Sequence, residues 1–178
     1  YNLLKKEHLK KLKTKIVAEK YLIGHNFFPG NLISSHKKNK NRVIIFFGST
    51  DSFKITEKTL EIISDKVFSN FKFFIIIGKH FKINKKKYSS DNFKFMSTMN
   101  GIKFGNLLKK SKYAIGAGGV SLMERISYKL INLVVITADN QLFGTNLLKE
   151  KKIIKYAGKA NNINFKNYKK EFLNFFLS

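Results

Sequence analysis

A chain of 178 residues, 43% of them hydrophobic, is long enough to bury one proper core. It holds no Cys, which excludes a disulfide framework and a thiolate metal site, and its four His, at 8, 25, 36 and 80, have no metal-ligand spacing; no metal and no cofactor is expected. No apolar run approaches the roughly 20 residues that span a bilayer, and the opening Tyr1-Asn2-Leu3-Leu4-Lys5-Lys6 lacks the apolar centre of a signal peptide, so the expectation is a cytoplasmic protein without a transmembrane segment.

The net charge of +24 raises nucleic-acid binding, since a basic surface neutralises phosphates and releases counterions. Nearly all of that charge is lysine, with arginine only at 42 and 125. The chain is also rich in Asn, Ile and Phe, the residues of A+T-rich codons. Bidentate readers of nucleic acid favour Arg, so a solvated lysine surface with no specific nucleic-acid partner is the reading adopted.

In chain order, Leu4, Leu9, Leu12, Ile16 and Val17 among lysines predict an amphipathic helix from Leu3 to about Tyr21. Phe28-Pro29-Gly30-Asn31 marks a turn, and Ser34 to Asn41 a polar linker. Residues 1–41 are therefore read as a basic helical extension and linker, and residues 42–178 as the folded domain. Val43 to Phe47 predicts a strand ending at Gly48-Ser49-Thr50-Asp51, followed by a helix marked by Ile55, Leu60, Ile62, Ile63 and Val67. Further strands are expected at Phe73 to Ile77, Phe93 to Met96, Tyr113 to Ile115, Leu133 to Ile136 and Ile153-Ile154. Between and after them, helices are expected at Ile102 to Leu108, after Gly119, from Asn140-Gln141 onward, and at Phe165 to Leu177. Continuous apolar strands alternating with helices imply an α/β fold, a Rossmann-like parallel sheet with helices on both faces.

Gly116-Ala117-Gly118-Gly119-Val120-Ser121-Leu122-Met123-Glu124 is the stretch on which a function is read. A glycine-rich strand-to-helix turn lets backbone approach a ligand, and the helix's first free N–H groups favour a phosphate. Glu124, about one turn into the helix, suits vicinal hydroxyls such as those of a ribose. Ligands of such sheets bind beyond the carboxyl ends of the strands, where Gly48-Ser49-Thr50, Gly118 to Ser121 and Ala138-Asp139-Asn140-Gln141 all fall. A nucleotide or nucleotide-sugar site is the resulting expectation.

Phe46-Phe47-Gly48-Ser49-Thr50-Asp51, Ala114-Ile115-Gly116-Ala117-Gly118-Gly119-Val120-Ser121-Leu122-Met123-Glu124-Arg125 and Ala138-Asp139-Asn140-Gln141 together resemble the C-terminal half of the UDP-sugar hydrolases of the pseudaminic acid pathway. The resemblance runs from about residue 42 to residue 158. It implies the GT-B architecture, in which two Rossmann-like halves face each other across a cleft, and a reaction in which water attacks the anomeric carbon and UDP is released with inversion. Carried over, it implies that Gly118, Gly119 and Val120 offer backbone N–H groups to the diphosphate, Ser121 a hydroxyl, and Glu124 a hold on the ribose. Gly48 and Ser49 belong to the same nucleotide-binding set, and Asn140 and Gln141 would face the sugar or phosphate. UDP or a UDP-sugar is the implied partner. Val120-Ser121-Leu122 replaces a more hydroxyl-rich run of the family, and Leu130-Ile131-Asn132-Leu133 stands where the family has Leu-Pro-Ser-Leu. Nothing before residue 42 matches the family's N-terminal catalytic half. His25, in Ile23-Gly24-His25-Asn26, lacks a preceding strand and the glycine-rich flanks of the family's loop, so the catalytic residues are unassigned. The expectation is a UDP-sugar-binding half whose catalytic half is absent or a separate chain; the donor-binding subunit of a split glycosyltransferase and a non-catalytic remnant are the alternatives.

Overall fold

The computed structural model describes residues 39–177; the helix expected over 3–21 and the turn at 28–31 lie outside them. Six strands form one parallel sheet in the order β3-β2-β1-β4-β5-β6. They are β1 (Asn39–Phe46), β2 (Lys72–Ile77), β3 (Phe93–Ser97), β4 (Ser111–Ala117), β5 (Ile131–Ile136) and β6 (Lys155–Lys159). The helices are α1 (Ile55–Ile63), α2 (Gly101–Lys110), α3 (Val120–Ser127), α4 (Leu142–Glu150) and α5 (Phe165–Leu177). The chain leaves β1 toward β2 and β3, then returns to β4 on the other side of β1. The crevice between β1 and β4 is therefore the topological switch point, where doubly wound sheets take their ligands.

Both sheet faces are covered. Val43, Ile45, Phe73, Ile75, Ile115, Leu133 and Val135 pack with Ile55, Leu60 and Ile63 of α1 and with Tyr168, Phe172 and Phe175 of α5. The alternate residues Ile44, Phe74, Ile76 and Ala114 meet Phe104, Leu107 and Leu108 of α2, while Val134 meets Leu122 of α3 and Leu148 of α4. Period-two alternation between two buried faces explains why these strands read as unbroken apolar runs. The Tyr168 hydroxyl pairs with Thr59 Oγ1 at 2.7 Å, joining α5 to α1 inside the first layer.

Three boundaries differ from the sequence reading. β1 begins at Asn39, inside the expected linker, because Asn39 already pairs with Ser111 of β4. Val67 is not on α1: it lies 57% exposed in a 3₁₀ turn, Lys66–Phe68, whose Phe68 is buried instead. Ile153-Ile154 is not a strand but part of the turn that closes α4. Lys152 adopts φ 56°, its N–H donates to Lys149 O at 2.9 Å and that of Ile153 to Leu148 O at 2.9 Å, which is a Schellman closure. Ile154 is then buried against α3 and α4, and the last strand forms from Lys155–Lys159.

Candidate functional site

Three loops meet at the carboxyl edge of the sheet. The first, after β1, turns at Asp51 (φ 41°) and Lys54 (φ 52°). The buried Asp51 carboxylate accepts from Ile55 N at 3.0 Å and Thr56 N at 2.8 Å. This satisfies the donors at the start of α1 and places a negative charge at the positive end of its dipole. The N-terminus of α1 is thus occupied by the chain's own carboxylate.

The second loop, from β4 into α3, differs in this respect. Gly119 stands at the N-cap and no side chain caps the helix, so the free donors and positive dipole end of α3 are presented outward. They border a cavity of about 360 Å³ lined by Gly48, Ser49, Asp51, Gly119, Val120 and Ser121, with Phe46 and Gln141 also in its wall. Gly118 lies under the turn. A Cβ there would fall 2.3 Å from Thr145 Oγ1 on α4, so any larger residue would lift the loop off α4.

The third loop, Thr137 to Gln141, braces the second. Gln141 Oε1 accepts from Gly118 N at 3.2 Å and from Thr137 N at 3.0 Å, and Gln141 Nε2 donates to Thr137 Oγ1 at 3.1 Å. The Gly118 N–H is therefore engaged by Gln141, and the Gln141 amide is held by hydrogen bonds within the protein. Asn140 is exposed and outside the cavity wall.

Glu124 opens onto a second cavity, also about 360 Å³, whose wall is Phe46, Ile76, Thr98, Met99, Gly101, Phe104 and Glu124. Phe46 borders both cavities, its ring edge-on to Phe104 at 6.2 Å. Burial raises the Glu124 carboxyl above the ordinary carboxylate range, and the Arg125 charge partly opposes this. One cavity thus offers backbone donors, a helix dipole and hydroxyls suited to phosphates. Its neighbour offers apolar walls and one carboxylate, suited to a flat ring carried on a diol.

Of the residues singled out in the sequence, the structure brings Gly48, Ser49, Gly119, Val120, Ser121 and Gln141 to one cavity and Glu124 to the adjoining one. The apolar wall was not foreseen. Ile76, Met99 and Phe104 come from β2, the segment before α2 and α2 itself, and no local spacing ties them together. Asp51 was visible only as a turn residue, although an Asp four residues before the first helical Ile is a capping signal. Among the described residues no helix is long and apolar enough to cross a membrane, and no cluster of His, Asp or Glu is arranged to hold a metal.

No protein-family model matches the sequence, and no curated protein is significantly similar to it. Solved structures do match the fold, which is the Rossmann-like one of GT-B glycosyltransferase domains. The glycotransferase of kitacinnamycin is similar at TM-score 0.62 and 10% identity, over 82% of this chain and 38% of that one. Arabidopsis thaliana UGT89C1 complexed with UDP-L-rhamnose is similar at TM-score 0.58 and 12% identity, over 76% and 34%. A putative UDP-N-acetylglucosamine 2-epimerase from Listeria monocytogenes is similar at TM-score 0.56 and 17% identity, over 79% and 38%. This chain spans less than two fifths of each of those chains, and at such identities the likeness is one of fold.

Proposed function

We propose that residues 39–177 form the UDP-sugar-binding half of a nucleotide-sugar enzyme. The motif resemblance further points to a UDP-sugar hydrolase of the pseudaminic acid or a related cell-surface glycan pathway, acting in the cytoplasm together with the family's N-terminal catalytic half. The observation that carries the reading is the uncapped start of α3 at the β1/β4 crevice, beside a polar cavity that shares Phe46 with an apolar cavity ending in Glu124. The UDP-L-rhamnose bound by the fold neighbour from Arabidopsis thaliana supports the same ligand class.

In this reading the N–H groups of Gly119, Val120 and Ser121, with the dipole of α3, hold the diphosphate. The hydroxyls of Ser49 and Ser121 add donors. Glu124 accepts from the ribose diol, and the base lies among Phe46, Ile76, Met99 and Phe104. In this reading these groups bind and orient, and the group that activates water comes from the N-terminal catalytic half. Calorimetric titration of the 178-residue chain with UDP, UMP and uridine tests this. Affinity rising from uridine through UMP to UDP is expected, and absence of UDP binding by folded protein refutes the reading.

A further inference from the structure

Arg125 is the largest fully buried side chain among the described residues, and its contacts give it a place in the glycine turn. Nη2 donates to Ala117 O at the end of β4. Nε donates to Ser121 O at 3.2 Å in the first turn of α3. One guanidinium thus grips the chain on both sides of Gly118-Gly119-Val120. The peptide joining Ala117 to Gly118 is held at both ends, its carbonyl by Arg125 and its N–H by Gln141.

The burial is costly. Among the described residues no carboxylate forms an ion pair with Arg125, and Nη1 has no hydrogen-bond partner. Burial pushes the guanidinium pKa down to about 9, with the charge of Glu124 opposing. A buried cation without an ion pair is unfavourable, and an apolar side chain of similar volume is commonly the more stable choice. β4 makes room for this one: a Cβ at Gly116 would fall 2.8 Å from Nη1 and 2.1 Å from Phe46 O. Packing alone gives no reason for the positive charge. An anion bound on the far side of the turn does, because it adds counter-charge to that of Glu124 across one layer of backbone.

We propose that Arg125 is a positioning residue for a diphosphate. It locks the glycine turn so that the N–H groups of Gly119, Val120 and Ser121 converge on the ligand, and a bound diphosphate adds its counter-charge to that of Glu124. This rests on the nucleotide reading of the site but is separable from it. The test uses the full chain with Arg125→Met and Arg125→Lys, titrated by NMR with UDP, uridine and inorganic pyrophosphate, alongside amide hydrogen exchange of the ligand-free proteins. Arg125→Met is expected to weaken UDP and pyrophosphate tenfold or more and uridine by less than twofold, with faster exchange at residues 117–121. Arg125→Lys, which keeps the charge but not both contacts, is expected to recover part of the loss. Equal weakening of UDP and uridine, unchanged UDP binding, or a Lys variant no better than Met would overturn the proposal. Should the Met variant not fold, the Lys variant decides, and an unchanged ratio of UDP to uridine affinity overturns it. Wild type that binds pyrophosphate but neither UDP nor uridine would remove the nucleotide reading and leave the Arg125 proposal to the pyrophosphate and exchange results. Wild type that binds none of the three overturns both.

Discussion

Glu124→Gln separates what the site does from what holds the fold. Glu124 is half-buried beside Phe46, Ile76, Met99 and Phe104, and burial raises its carboxyl pKa. A folded-state value above the unfolded one means the fold favours the protonated form. Its stabilising contribution is complete below the unfolded value, about 4.3, and is lost as pH rises through the raised folded value. At pH 7 the ionised carboxylate therefore costs stability, and the isosteric neutral amide removes that cost. Binding moves the other way. Replacing charge-assisted hydrogen bonds to a diol by neutral ones is worth about 1–3 kcal/mol, roughly a 5- to 150-fold rise in the Kd for UDP. Calorimetric titration, with thermal unfolding at pH 7 and pH 4, reads both. The variant should melt at or above wild type at pH 7, with the difference closing toward pH 4, while binding UDP more weakly. A variant that melts lower at pH 7 and binds UDP as wild type does would refute the reasoning on both counts.

Asp51→Ala strips the cap from α1 and puts Ala at a positive φ, costs of about 0.5–2 and 1–2 kcal/mol; thermal unfolding should fall by on the order of 5–10 °C, and less for Asp51→Asn, which tolerates that backbone and keeps one acceptor. Gly118→Ala drives a methyl into Thr145 Oγ1, an overpacking of about 1–3 kcal/mol that Thr145→Ala in the same chain should largely relieve, as a denaturant double-mutant cycle would show. Lys152→Gly, at φ 56° in the closure of α4, should raise stability by about 0.5–1 kcal/mol with UDP affinity unchanged.

The sheet was legible where strands are buried on both faces. Phe73 to Ile77 and Leu133 to Ile136 are unbroken apolar runs because alternate residues face different helix layers. β6 was not, because Lys-Tyr-Ala-Gly-Lys buries only Ala157, while the neighbouring Ile153-Ile154 is apolar for another reason, the closure of α4. In the site, the glycine turn and Glu124 could be read because the residues are consecutive and each has a stated chemistry. The inward use of Gln141 and the burial of Arg125 could not. Both depend on contacts with residues such as Thr137 and Ala117, whose approach is set by the sheet. The apolar cavity is assembled from β1, β2 and α2, and only the strand order brings those segments together.

The central claim, that the β1/β4 crevice binds UDP, is tested most directly by ¹H–¹⁵N and methyl ¹H–¹³C NMR of the full chain during titration with UDP. The amides of Ser49, Gly119, Val120, Ser121 and Glu124 should move together along one saturable curve, with the Ile76 and Met99 methyl groups following it. No perturbation at millimolar UDP would contradict the account. So would perturbations confined to the basic groove of Arg42, Lys94, Lys103 and Lys110, which would mean that charge alone attracts the nucleotide.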